Sequence, residues 1–282
     1  MKTYVYDPKS EFEIARIAER EKNTRRQRAL ALENRHFDNV EQILDVGCGT
    51  GAVGFDLLNR IPTIRLMVGL DIEPSILNVA KNNLPPLNQI DFITGDAFQL
   101  PLKTGGVDLV SCQYVLQHLA HPERILNEMR RVTRPGGYAI IFEFDDRSEI
   151  TYPPKPPELD LLFRAKIDLI EKRGGDRSIG RKLYHLLKLA GWSEVEIKII
   201  PDIWIGPADR NNALSSAYMS FTQIKSQLIE EKLISEDVFE TALKQLYGYY
   251  QSDLLSIIFF FSAFARNPGK FETITIKNLN LG

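Results

Sequence analysis

Three glycines set two apart, Gly47, Gly49 and Gly51, follow a short apolar run, Ile43-Leu44-Asp45-Val46. Ala52, Val53, Phe55, Leu57 and Leu58 then recur at roughly helical spacing. That order reads as a buried parallel strand, a tight turn and a helix start. The first backbone N–H groups of such a helix have no partner within it and can face a ligand. Glycine is required where a Cβ would block that ligand or where φ must be positive. Asp71 closes a second apolar run at 66–70. A carboxylate at the carboxyl end of a second strand can accept hydrogen bonds from both hydroxyls of a ribose, whichever nucleoside is bound. It can equally cap the helix that follows. Asp96, in Gly95-Asp96-Ala97 after a third run at 89–93, falls on the same rim, as a ligand acceptor or as an Asx turn. His118 and Glu143 are the groups there that could move a proton, although a lone histidine is also commonly a satisfied structural residue.

Gly47-x-Gly49-x-x-Ala52 also fits a loose dinucleotide fingerprint. Two features point elsewhere: Asp45 is an awkward neighbour for a pyrophosphate, and the glycines continue at the closer G-x-G-x-G spacing. The run Asp45-Val46-Gly47-Cys48-Gly49-Thr50-Gly51 resembles the first motif of the class I S-adenosylmethionine-dependent methyltransferases of the small-molecule type. The resemblance implies S-adenosyl-L-methionine as cofactor, with a cationic sulfonium, an amino-acid tail and no phosphate. It places Asp45, Gly47, Cys48, Gly49 and Gly51 in the cofactor turn, Asp71 on the ribose with Ile72 beside the adenine, and Asp96 with Ala97 at the adenine amino group. A second block, Val107-Asp108-Leu109-Val110 through Leu116-x-His118-Leu119 to Arg134-Pro135-Gly136-Gly137, is similar to the second half of that family's core. It implies Gln113 near the methyl-bearing sulfur and His118 directed at the acceptor pocket as a general base, with Glu143 as a second candidate.

The elements that must position these residues follow from periodicity and turn chemistry. Strands are predicted at 43–46, 66–70, 89–93, 108–112, 138–144, 194–200 and 254–266. The fold expected is α/β: a doubly wound, Rossmann-like, seven-stranded mixed sheet with the last strand antiparallel, under a helical cap. One domain would fill 1–282, with its core at 40–146, 178–201 and 254–270, a lid helix at 8–36, and cap segments at 147–177 and 205–252. Ser10 and Glu13 form a capping box for the lid helix, whose first turns carry Phe12, Ile14, Ile17 and Ala18. Its charged middle, 20–28, reads as a solvated face. The competing reading is a lid over the cofactor, with Tyr4, Tyr6 and the Arg25-Arg26 pair toward the site. Pro74 opens a helix with Ile76, Leu77, Ala80 and Leu84 inward. The segment 151–157, T-Y-P-P-K-P-P, reads as an irregular crossing loop. Ser178 is placed as the cap of a helix closed by Gly191. Two helices are predicted at 212–250, the second starting near Ser235, with Tyr218, Met219, Phe221, Tyr247, Tyr249 and Tyr250 available to line an acceptor pocket.

Composition narrows the classes. The 282 residues are 44% hydrophobic with a net charge of −2, enough for a large core and without a global field for nucleic acid or an anionic membrane. Ser111-Cys112-Gln113-Tyr114 also lacks the Pro-Pro-aromatic clamp used on flipped bases. Two cysteines argue against a disulfide scaffold, and Cys112, near the end of a buried strand, reads as packing. The amino-terminal residues show no apolar leader, and 254–265 is too short to span a bilayer. A cytoplasmic protein is expected, with no metal, no membrane and no nucleic-acid partner, and with self-association left open. Its partner would be a small, largely apolar acceptor methylated on O, N or C. A catalytically silent S-adenosylmethionine-binding protein and a NAD-dependent oxidoreductase are the rival readings.

Overall fold

A computed structural model describes residues 4–83, 89–206 and 211–269. Its centre is one seven-stranded sheet in the order β3-β2-β1-β4-β5-β7-β6. The strands are β1 (Gln42–Val46), β2 (Leu66–Asp71), β3 (Ile90–Thr94), β4 (Val107–Gln113), β5 (Thr133–Tyr152), β6 (Ser193–Ile205) and β7 (Leu255–Arg266). β1 to β5 run parallel, and β7 inserts antiparallel between β5 and β6. The doubly wound mixed sheet expected from the sequence is therefore present. β1 is buried on both faces, as a strand flanked by helices must be, so its alternation is lost and an apolar run remains.

Helices α3 (Ala52–Arg60), α4 (Pro74–Asn83) and α5 (Pro122–Val132) make the crossovers of the parallel half, and α7 (Leu183–Leu189) precedes β6. Pro122 occupies the first turn of α5, where its missing N–H costs nothing. Leu84, expected on the inner face of α4, lies outside the described residues, as does position 270 of the expected core. Leu44, Val110, Ile141 and Trp192 belong to the apolar cluster on one face of the sheet; Ile43, Leu109, Phe142 and Phe260 belong to that on the other.

A third cluster is separate. It joins α6 (Pro157–Lys172), α8 (Asn211–Glu230) and α9 (Glu236–Tyr250) around Leu162, Phe221, Phe239 and Leu246, with Val5 and Tyr6 packed in. This is the helical cap. The Ser235 hydroxyl accepts from the Val238 N–H at the start of α9.

Four local expectations are revised. The lid is two helices, α1 (Glu11–Asn23) and α2 (Arg25–Leu32), broken at Thr24. β5 does not stop near 144 but continues through an irregularity to Tyr152, because β7 supplies an antiparallel partner there (Ile150 opposite Ile257, Tyr152 opposite Leu255). Only the proline-rich remainder of 151–157 leaves the sheet. β6 likewise runs to Ile205. Ser178 starts a single 3-10 turn, Ile179–Lys182, and makes no side-chain cap; α7 begins after it. Gly191 does take positive φ (79°) just past the end of α7, as predicted. Among the described residues no helix is long and apolar enough to cross a membrane.

Candidate active site

The turn after β1 brings Gly47, Gly49 and Gly51 to φ values of 65°, 53° and 86°. A side chain at 49 would be strained by that φ and would collide with the Glu21 carboxylate. Gly51 is the N-cap of α3 in the left-handed conformation, so the amides of the first turn open toward the strand ends. Asp71 ends β2 beside this turn. Its Oδ2 accepts from the Gly49 N–H at 3.0 Å and its Oδ1 from the Glu73 N–H at 3.0 Å. The carboxylate therefore fixes the turn and keeps one lone pair on each oxygen. Burial raises its pKa.

Asp45 is buried within β1. Its Oδ1 accepts from the Ser111 hydroxyl at 2.7 Å, while Oδ2 has no partner. Burial pushes its pKa up to about 6. Cys48 is buried with its thiol pushed well up by desolvation, and Cys112 is the same in β4, so neither is a thiolate nucleophile. Ile72 is exposed, presenting an apolar surface on the rim. Asp96 is an exposed Asx turn, its Oδ1 accepting from the Phe98 N–H at 2.9 Å, with Ala97 half-buried beside it.

Gln113 ends β4. It donates from Nε2 to the Thr24 hydroxyl at 3.4 Å and accepts from Arg28 Nη1 at 3.3 Å. Both partners come from the amino-terminal helices, whose burial overturns the solvated-face reading. Glu13, Arg16, Glu21, Thr24, Gln27 and Arg28 are buried, whereas Phe12 is 64% exposed. Arg25 is exposed and pairs with Asp56. Arg16, Arg20, Thr24 and Arg28 stand four residues apart, a polar stripe that runs from α1 across the break at Thr24 into α2.

Glu21 reaches the glycine turn itself. Its Oε2 accepts from the Thr50 hydroxyl, and its Oε1 from the Thr50 N–H at 3.4 Å. Burial pushes this carboxyl up to about 7. Anything lying across Gly49 meets this carboxylate first.

On the other side of α1 is a cavity of about 490 Å³. Its walls come from α1 (Arg16, Arg20), the end of β5 (Phe144, Asp146), α6 (Phe163, Lys166) and α8 (Ser216, Ser220), with His118 among them. Of the aromatics expected to line it, Tyr250 does; Phe221 and Tyr249 are core of the cap, and Tyr218 and Tyr247 face out. His118 is buried, with neither ring nitrogen hydrogen-bonded, and packs edge-on against Tyr4 at 4.7 Å. Burial, then Arg177, Arg20 and Arg16, hold its pKa well below the ordinary imidazole value, so it is neutral.

Glu143 does not line this cavity. Its Oε1 accepts from the Leu116 N–H at 2.8 Å, under the 3-10 turn that carries His118, and burial pushes it up to about 8. The structure thus places it under that turn, sealed from the cavity wall where the sequence reading had it as a second candidate base. Tyr114 was missed altogether. It follows Gln113 with φ 57°, stacks on Phe144 at 4.9 Å, and lies under the Arg20 guanidinium at 4.4 Å. Nothing in its type announces a left-handed residue at the end of a strand.

Residues 44–141 match the methyltransferase domain family. An uncharacterized methyltransferase of Schizosaccharomyces pombe is 31% identical over 157 residues, 53% of this chain and 55% of that protein. A demethylmenaquinone methyltransferase of Lactococcus lactis is 29% identical over 167 residues, 55% of this chain and 66% of that protein. The alignments span about half the length of the curated relatives they match. Among solved structures, a phosphoethanolamine N-methyltransferase of Haemonchus contortus, in complex with phosphomonomethylethanolamine and S-adenosylhomocysteine, shares the fold. It superposes with a TM-score of 0.57 at 14% identity, over 93% of this chain and 59% of that one. The stretch that matches the methyltransferase domain family, 44–141, is the one that carries the glycine turn and the parallel half of the sheet, and the sheet order is that of the solved methyltransferase fold.

Proposed function

We propose that this protein binds S-adenosyl-L-methionine across the glycine turn and transfers its methyl group to a small-molecule acceptor in the cavity under the cap. The observation that supports it most is a juxtaposition. The positive-φ glycine turn with Asp71 at its side lies on one face of α1, and a cavity with His118 in its wall lies on the other. Gly47, Gly49, Gly51 and Asp71 would hold the cofactor, Ile72 and Asp96 would flank its base, and Glu21 and Asp45 would complement its positive charge. When bound, the cofactor supplies an activated methyl group on a cationic sulfur. The protein's own work is alignment and exclusion of water, which an in-line displacement needs most. Thr24, Gln113 and Arg28 join the lid to β4 by direct hydrogen bonds and set that alignment.

His118 stands in the cavity wall with neither ring nitrogen engaged, so one of them is available to accept a proton. That suits an acceptor which loses a proton on methylation: a hydroxyl, a phenol or a carbon acid. Calorimetric titration with S-adenosyl-L-methionine and with NAD tests the cofactor; micromolar binding of the dinucleotide and none of the sulfonium would refute the reading. Labelled-methyl transfer into a metabolite library tests turnover. His118→Gln is expected to slow it by roughly 10²-fold or more while leaving cofactor affinity within twofold. Unchanged turnover would remove His118 from the chemistry.

A further inference from the structure

We infer that the acceptor carries an anionic group, a carboxylate or a phosphate, seated between Arg20 and Lys166 at the His118 end of the cavity. The inference rests on the proposed function and narrows its substrate class. It comes from an uneven charge count among the groups that face one another there. Arg16 is spent on Glu13, which it grips through Nε at 2.7 Å and Nη2 at 2.5 Å. Arg177 is spent on Asp146 and Gln117. Glu143 is sealed from the cavity, accepting from the Leu116 N–H, and burial raises its pKa. Arg20 and Lys166 are left over: among the described residues neither has a carboxylate within ion-pair distance.

Both are held in place by rings rather than by acids. The Arg20 guanidinium lies over Tyr114, and its buried Nε has no acceptor. Lys166 Nζ lies 5.3 Å from the Phe221 ring centre and 5.5 Å from that of Phe163. Ring faces hold a cation without neutralising it. A surplus of buried positive charge is costly unless something negative arrives. Arg20, Arg177, Lys166 and Asp146 all line this one cavity, with Arg177 on Asp146. Three further acids line the cavity: Glu149 pairs with Lys155, Asp160 with Arg164, and Asp202 takes a hydrogen bond from Gln27. Glu19 also lines the cavity, on α1 next to Arg20. Phe144, Phe163 and Tyr250 leave room for an apolar body behind the anion. The small, largely apolar acceptor expected from the sequence is thereby narrowed to an apolar acid.

The test uses the full chain, with and without saturating S-adenosyl-L-homocysteine, titrated at fixed ionic strength with benzoate, phenyl phosphate and the neutral benzamide. At least one anion is expected to bind ten times or more tighter than benzamide, and which one does distinguishes carboxylate from phosphate. Lys166→Met and Arg20→Gln are each expected to weaken that anion tenfold or more; Lys166, being half-buried, keeps the test usable if the Arg20 variant fails to fold. Benzamide binding as tightly as both anions, no binding of any probe, or anion affinity that survives Lys166→Met would overturn the inference. The affinity for S-adenosyl-L-homocysteine is read separately. Its loss with anion selectivity intact would sink the cofactor reading alone, and the reverse pattern would sink only the anionic acceptor.

Discussion

Asp71 spends one lone pair on each oxygen holding the turn, at Gly49 and Glu73, and has the others to offer a ligand. Asp71→Ala removes both, and a hydrogen bond to a charged group contributes about 1.5–3 kcal/mol. The expected outcome is a 10- to 100-fold loss of S-adenosyl-L-methionine affinity by calorimetry. Glu143 makes a different prediction. Its pKa is raised to about 8 by burial, so between the ordinary carboxyl value near 4.5 and pH 8 the folded state holds a proton that the unfolded state has released. Its contribution to stability is full below that window and is lost as pH rises through it. Glu143→Gln keeps the acceptor for the Leu116 N–H and has no proton to lose. Urea midpoints of variant and wild type should therefore coincide near pH 5, with the variant the more stable by pH 8 to 9. A variant less stable at both pH values would show that the carboxyl is needed as an anion.

The lid shows what one element does to its neighbour. α1 rests on the glycine turn through Glu21 and Thr50, and the chain breaks at Thr24 before α2 carries Arg28 to Asp56 at 2.7 Å. Gly49→Ala would place a methyl against the Glu21 carboxylate in a φ that costs an L-residue about 1–2 kcal/mol. We expect faster hydrogen exchange across α1 and weaker cofactor binding together; either without the other would mean that the lid and the turn are independent. The crossover elements of the parallel half were legible because apolar runs, glycines and prolines repeat their local logic there. The lid was not. Its inward face is polar and its outward face carries Phe12, the reverse of the pattern by which helices are read. The extension of β5 to Tyr152 was also illegible, since it depends on a strand more than a hundred residues away. Of the site, the turn and the strand-end acids could be read from type and spacing. Glu21, Arg20 and Tyr114 could not, because their roles come from packing.

On the scale of the whole molecule, the cap has its own apolar cluster, distinct from the two that cover the sheet. Phe239 is fully buried in it, and Phe→Ala in such a place costs about 3–5 kcal/mol. Phe239→Ala should lower the unfolding midpoint and abolish methyl transfer while cofactor binding, read by calorimetry, persists below that midpoint. Equal loss of both would mean that cap and sheet open as one unit. The opening segment of the chain belongs to this arrangement too. Tyr4 donates to Glu13 and lays its ring against His118, and the Tyr6 hydroxyl is 2.7 Å from that of Ser220. One aromatic ring thus covers the imidazole on that side, so a change that displaces Tyr4 also reaches His118.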